Sequence, residues 1–174
     1  PFFVLPAAIN TEKFRFDKAV REEMRRTLNI EKEELLIGHV GQFRKEKNQI
    51  FLLDVLHSLR ACGTKAKLLF VGDGEKRAAV QSRAAALGLT PYVLFLGVRE
   101  EVPALLQAMD IFCMPSLYEG MPLAVLEAQA AGLPCLVSDG VPKVCLQTPR
   151  ARQLPLSAPP SKWAEVILVD RKSV

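Results

Sequence analysis

The stretch from residue 110 to residue 134 constrains the fold of this 174-residue chain more than any other. Residues 110–115 form a short apolar run closed by a proline, which predicts a buried strand. After a loop, Pro122 opens a run rich in Ala, Leu and Glu, which favour helices, and a Gly-Leu-Pro sequence ends it. The stretch therefore predicts a strand, a tight loop and a helix, the repeating unit of α/β proteins.

The rest of the chain repeats this alternation of short apolar strands with helices. Further strands are predicted at residues 34–40, 66–71, 92–99 and 135–139, and helices at residues 17–28, 48–62, 102–109 and 161–167, with one more helix ending at residue 87. Asp73 and Glu75 are interpreted as the N-cap and first-turn acids of that last helix. The pattern predicts a doubly wound, Rossmann-like α/β fold, a parallel sheet with helices on both faces.

Composition limits the classes of function. Hydrophobic residues make up 49% of the chain, but no apolar run approaches the ~20 residues of a membrane span, so we expect a soluble, cytoplasmic domain. The net charge of +4 comes without a basic run interleaved with aromatic residues, so no nucleic-acid partner is expected. The four cysteines form no CxxC pair, and with only His39 and His57 a zinc site is not expected. His39, inside a strand, is interpreted as a satisfied core residue.

Two glutamates flank the start of the helix that follows residues 110–115. In parallel α/β sheets, ligands bind outside the carboxyl ends of strands, and a helix N-terminus there favours an anion. Glu119 precedes the helix, and Glu127 lies about one and a half turns into it. A carboxylate accepts vicinal hydroxyls well, so the stretch suits a nucleotide-sugar. The spacing equally allows a solvated helix residue and a loop charge.

A glycine loop follows the strand at residues 34–40. It contains Gly41, Gln42, Arg44 and Lys47 and leads into the next helix. A glycine loop between a strand and a helix is a phosphate-cradling layout, and its cations can neutralise a diphosphate. The alternative is that these cations are solvated surface charges.

Together these residues resemble the donor-site signature of glycosyltransferase family 4 (group 1). The matching residues are Pro115-Ser116, Glu119, Glu127-Ala128 and Gly132-Leu133-Pro134, and the resemblance runs from about residue 4 to about residue 167. Within the family, the sequence pattern is most similar to that of bacterial enzymes of capsular or exopolysaccharide synthesis. The resemblance implies a retaining enzyme of GT-B architecture, whose C-terminal, donor-binding half would be residues 1–174. Because the chain starts at Pro1 with the end of a predicted strand, we interpret it as a piece that lacks the N-terminal acceptor domain.

The resemblance also implies roles for single residues. Lys47, with Arg44 or Gln42, would stabilise the diphosphate leaving group, Glu119 would orient the donor sugar, and Glu127 would hold the ribose. No metal cofactor is implied, because cationic residues and a helix dipole can replace one. The expected substrate is a UDP-sugar.

Further donor contacts follow from the same resemblance. Backbone groups around Val98 would contact the base, with Arg99 packing nearby. The remaining implied contacts are Gly41, Gly72, Ser116, Gly120, Met121, Pro122 and Leu123.

Three departures from the family pattern bear on activity. Ala7-Ala8 replace an Asn-Gly turn, Gln42 stands where an arginine is expected, and no glutamate follows Ser138-Asp139. They motivate an alternative, a degenerate, non-catalytic nucleotide-sugar-binding or assembly module. A dehydrogenase-like domain is a third hypothesis, but no Gly-x-Gly-x-x-Gly opens a helix.

The main prediction is the donor domain of a hexosyltransferase in polysaccharide biosynthesis, which transfers sugar to a glycan or lipid-linked acceptor. We expect this fragment to be inactive alone, since the acceptor half of the cleft is missing. Any membrane contact would be made through that missing half.

Overall fold

A computed structural model describes residues 9–171, so the predicted strand end at residues 1–6 and the Ala7-Ala8 turn lie outside the described residues. The sheet has six strands, β1 (Leu35–Val40), β2 (Ala66–Val71), β3 (Val93–Phe95), β4 (Ile111–Met114), β5 (Cys135–Ser138) and β6 (Ala151–Leu154). All neighbouring strands are parallel, in the order β3-β2-β1-β4-β5-β6. The prediction of a doubly wound parallel sheet is confirmed.

Within residues 9–171, six α-helices and four short 3-10 helices precede, connect or follow the strands. The α-helices are α1 (Lys18–Thr27), α2 (Gln49–Ala61), α3 (Arg77–Ala86), α4 (Val102–Ala108), α5 (Leu123–Ala130) and α6 (Pro160–Arg171). The 3-10 helices are Thr11–Phe14, Lys45–Lys47, Thr90–Tyr92 and Lys143–Cys145. No helix in the described part of the chain is long and apolar enough to cross a membrane.

The four inner strands β1, β2, β4 and β5 bury both of their faces, which is why their sequences are nearly continuous apolar runs. Leu35 and Ile37 of β1 pack in one hydrophobic core with α2, α3 and α6, whereas Leu36 packs in a second core with α4 and α5. Helices therefore cover both faces of the sheet, as predicted.

Two local predictions were wrong, and one strand was not predicted. The strand predicted at residues 92–99 ends at Phe95, because Gly97 adopts a left-handed φ of 73° and turns the chain out of the sheet. Asp73 does not cap α3, which begins at Arg77, and instead its carboxylate accepts a 2.8 Å hydrogen bond from Arg77. Strand β6 was missed because it is an edge strand with little apolar signal.

The strand order places a crevice at the middle of the sheet. From β1 the chain moves outward through β2 and β3, and from β4 it moves outward on the other side through β5 and β6. Strands β1 and β4 are neighbours, with Ile37 paired to Ile111. In such sheets ligands bind where the strand order reverses, outside the carboxyl ends. The loops after Val40 and Met114 meet at this point.

Candidate functional site

An open cavity of about 570 Å³ lies at the carboxyl ends of β1 and β4. The loop after β1 forms one wall, and the loop after β4 with the start of α5 forms the other. Eight residues predicted from the sequence line it, namely Gly41, Gln42, Arg44, Lys47, Glu119, Gly120, Pro122 and Leu123. The structure thus brings together two loops that are far apart in the sequence, since Lys47 and Glu119 are separated by 72 positions.

Lys47 and Glu119 form an ion pair across this crevice. The Lys47 Nζ lies 2.6 Å from the Glu119 Oε1, and the two side chains are 21% and 11% exposed. A short contact between a cation and a carboxylate in partial burial is strong, because the screening by water is reduced. The two predicted catalytic groups therefore neutralise each other's charge.

The two loops are held together by further hydrogen bonds that the sequence did not predict. The Leu117 N–H donates to the Glu46 carbonyl at 2.7 Å, and the Tyr118 hydroxyl donates to the Glu46 carboxylate at 3.2 Å. The negative charge of that carboxylate raises the pKa of Tyr118. Glu46 and Tyr118 also line the cavity. An aromatic residue next to Glu119 in a loop was the available signal for this contact.

Glu127 lies beyond the cavity lining, half-buried on α5. It follows Leu123 by four positions, so the two side chains share one helix face, and Leu123 does line the cavity. Burial raises the pKa of Glu127, while the charge of Lys13 lowers it. Within residues 9–171 no hydrogen bond or ion pair engages its carboxylate, which leaves both oxygens available as acceptors.

Gly72 and Ser116 support the loops and do not line the cavity. The Gly72 N–H donates to the Gly97 carbonyl at 2.7 Å, and a Cβ at Gly72 would overlap the Gly41 carbonyl. Gly72 therefore allows the close approach of β2 to the glycine loop. The Ser116 hydroxyl is fully buried and has no hydrogen-bond partner among the described residues.

The other predicted donor contacts lie at the margin of the site. Val98 is 79% exposed, and the Arg99 Nε donates to the Leu96 carbonyl at 3.1 Å. The Met121 Sδ lies 3.5 Å from the Cys145 Sγ. None of these three side chains lines the cavity. In the described range, no group of three or more His, Cys, Asp or Glu side chains could hold a metal ion.

The chain is similar to known glycosyltransferases in sequence. The family model of glycosyl transferases group 1 matches residues 20–147. EpsF of Bacillus subtilis (strain 168), named as a glycosyltransferase, is 39% identical over 165 residues, which cover 94% of this chain and 43% of EpsF. The UDP-Gal:alpha-D-GlcNAc-diphosphoundecaprenol alpha-1,3-galactosyltransferase of Escherichia coli is 32% identical over 139 residues, covering 78% of this chain and 36% of that enzyme. The chain thus spans less than half the length of these relatives.

Solved structures show the same fold. Anabaena Alr3699/HepE, crystallised in complex with UDP and glucose, superposes with a TM-score of 0.82 at 20% identity, over 92% of this chain and 45% of HepE. The C-terminal domain of a glycosyl transferase group 1 family protein (LpcC) from Francisella tularensis superposes with a TM-score of 0.76 at 20% identity, over 93% of this chain and 87% of that domain. The fold is that of a GT-B glycosyltransferase domain, and the chain belongs to the glycosyl transferases group 1 family.

Proposed function

We propose that this chain is the nucleotide-sugar-binding domain of a retaining glycosyltransferase. One observation carries the proposal, the Lys47–Glu119 ion pair in the crevice between β1 and β4, beside the first turn of α5. A cation, a carboxylate and a helix N-terminus converge where this sheet topology places ligands. A nucleotide-diphosphate sugar offers a matching partner to each of them.

The proposed mechanism is an exchange of partners. A diphosphate placed against residues 41–47 and the start of α5 takes the Lys47 ammonium, which stabilises the negative charge that develops as the leaving group departs. Glu119 is then free to accept hydrogen bonds from the hydroxyls of the donor sugar. Glu127, with a half-buried carboxylate that has no hydrogen-bond partner within residues 9–171, accepts the ribose hydroxyls. No metal ion is needed for these roles.

The relatives support a UDP-sugar donor and a role in polysaccharide biosynthesis. HepE has been crystallised with UDP and with UDP-glucose, and the name of the E. coli relative specifies UDP-Gal. Because the chain spans less than half of these relatives, we propose that transfer of a hexose to a glycan or lipid-linked acceptor requires an N-terminal acceptor domain in the cytoplasm. The 174 residues alone would bind the donor and transfer nothing.

Isothermal titration with UDP, GDP, ADP and NAD tests the proposal. We expect a nucleoside diphosphate to bind, UDP most tightly, and EDTA to leave its affinity unchanged. Preferential binding of NAD would indicate a dehydrogenase-like domain, and loss of binding in EDTA would contradict metal-free recognition. Sustained glycosyl transfer by the isolated chain would contradict the two-domain proposal.

The second candidate is a non-catalytic nucleotide-sugar-binding or assembly module, and Gln42 favours it. Gln42 lines the cavity with an uncharged amide where the family pattern has an arginine. The two candidates differ once the chain is joined to an acceptor half. UDP-sugar binding with sugar transfer supports the enzyme, whereas donor binding without transfer supports the module.

A further inference from the structure

Gln49 connects the core of the sheet to the glycine loop. It is the first residue of α2 and is 1% exposed. Its Nε2 donates a 2.8 Å hydrogen bond to the backbone carbonyl of Gln42 and lies 3.5 Å from the Nε2 of His39. An amide in this position is held by its partners, because burying an unbonded polar group is costly.

His39 presents an acceptor to this amide. The ring is fully buried in β1, and its Nδ1 lies 2.9 Å from the Cys113 carbonyl in β4. Since a carbonyl only accepts, Nδ1 carries the proton and Nε2 is the acceptor. Desolvation lowers the pKa of His39 to about 4, so the ring is neutral at pH 7. The interpretation of His39 as a satisfied core residue is confirmed, and its free ring nitrogen faces Gln49.

We propose that Gln49 is a positioning residue for the phosphate-binding loop and that His39 orients it. The amide has two N–H hydrogens, one for the Gln42 carbonyl and one directed at His39. The next backbone N–H, that of Phe43, donates to the Asp73 carbonyl at 3.0 Å. The peptide unit between Gln42 and Phe43 is therefore held at both ends before any ligand binds. A loop fixed in this way loses less conformational entropy on binding.

The inference rests on the proposed function, because it assigns residues 41–47 to the diphosphate. Gln49→Met keeps the length of the side chain and removes the amide. The matched control is Gln107→Met in α4, since Gln107 is also buried and donates a 3.0 Å hydrogen bond from its amide to the Phe14 carbonyl. Each variant is titrated with UDP and with uridine, which lacks the diphosphate, after its folding has been checked by circular dichroism and thermal denaturation.

We expect Gln49→Met to lower UDP affinity about tenfold, and Gln107→Met to leave UDP affinity unchanged. Uridine affinity stays the same in both variants. His39→Phe keeps Gln49 but removes the acceptor, so it lowers UDP affinity by a smaller factor. This variant tests the proposal if Gln49→Met does not fold.

Two results would overturn the positioning role while leaving the proposed function intact. One is that the wild-type protein binds UDP and that Gln49→Met and His39→Phe bind it with the same affinity. The other is an equal loss of UDP and uridine affinity, which indicates a structural role only. If the wild-type chain binds no nucleoside diphosphate, the proposed function itself fails, and this inference fails with it.

Discussion

At the amino ends of the strands Asp110 binds two arginines and the backbone of β1, whereas at the carboxyl ends Glu119 binds Lys47. Asp110 Oδ1 accepts from Arg21 at 2.5 Å, and Oδ2 accepts from Arg25 at 3.0 Å and from the Leu36 N–H at 2.7 Å. The exposed fractions of the two carboxylate side chains are similar, 19% and 11%. The two ends of the sheet therefore differ in how many partners each charge has, and not in burial.

The arginines at the amino ends also have several partners each. The Arg25 guanidinium donates to the carbonyls of Ala108, Glu31 and Glu34 in addition to Asp110. A cavity of about 410 Å³ lies there, lined by Arg21 and Asp110, but both groups already have protein partners. At the carboxyl ends, the Lys47 ammonium has one partner in the described part of the chain. Spare hydrogen-bonding capacity thus distinguishes the candidate functional pair from the structural one.

The largest effect is expected for Asp110→Asn. It removes the charge that two partly buried arginines share, which costs about 3–5 kcal/mol of unfolding free energy. Glu119→Gln removes a carboxylate that has a single partner, so it costs less, about 1.5–2 kcal/mol. Urea unfolding of both variants measures the difference, and affinity for UDP-glucose is expected to fall only in the second. Equal losses of stability would break the comparison.

The buried histidine of β1, His39, predicts how folding stability depends on pH. The pKa of His39 is lowered to about 4 in the folded protein, whereas an unfolded histidine titrates at about 6.5. As the pH falls from about 6.5 to 4 the unfolded state takes up the proton first, so folding stability decreases by about 3 kcal/mol over this window.

Urea unfolding between pH 4 and pH 7 measures this dependence. His39→Phe is expected to remove that component of the pH dependence, and His57→Gln is the control for loss of an exposed histidine. If the unfolding free energy of His39→Phe depends on pH as that of the wild type does, other groups cause the dependence.

Lys47→Met is expected to weaken UDP binding by about 2–3 kcal/mol, or about thirty- to a hundred-and-sixtyfold, because a charge-assisted hydrogen bond to phosphate is lost. The chain offers a matched control in Lys67, which pairs with Glu34 at 2.9 Å and has 18% and 11% exposure for the two side chains. Lys67→Met is expected to change stability similarly and UDP affinity not at all. Titration calorimetry compares the two, and equal UDP affinities would remove Lys47 from the site.

The sequence predicted the elements of the site better than their arrangement. Residues 66–71 were predicted with correct bounds because a buried parallel strand is a continuous apolar run. Strand β6 escaped prediction because Arg152 and Gln153 interrupt its apolar pattern at the edge of the sheet. The adjacency of β1 and β4, and with it the Lys47–Glu119 contact, depends on the packing of the whole domain, which no local pattern contains.

Glu127→Ala tests whether the site extends along α5. Loss of the ribose contact is expected to weaken UDP by about 1.5–2 kcal/mol, with little change in stability, because the carboxylate has no protein partner within residues 9–171. Glu119→Ala should instead weaken UDP-glucose more than bare UDP. Titration of each variant with both ligands makes the distinction. If Glu127→Ala binds UDP as the wild type does, Glu127 is a helix surface residue.

The smallest effect, a gain, is expected for Gln42→Arg. A glutamine donates a neutral hydrogen bond, whereas an arginine can bind phosphate through two bonds with a full charge, so UDP should tighten by about 1 kcal/mol. The gain should shrink as salt screens the partly exposed charge. Arg44→Ala in the wild-type background tests whether Arg44 binds the phosphate instead. A large loss of UDP affinity in this variant means that Arg44 already occupies the phosphate position. Gln42→Arg would then only add a like charge. If both variants bind UDP as the wild type does, the loop does not contact phosphate. The spare hydrogen-bonding capacity of Lys47 would then not mark the carboxyl ends of the strands as a phosphate site.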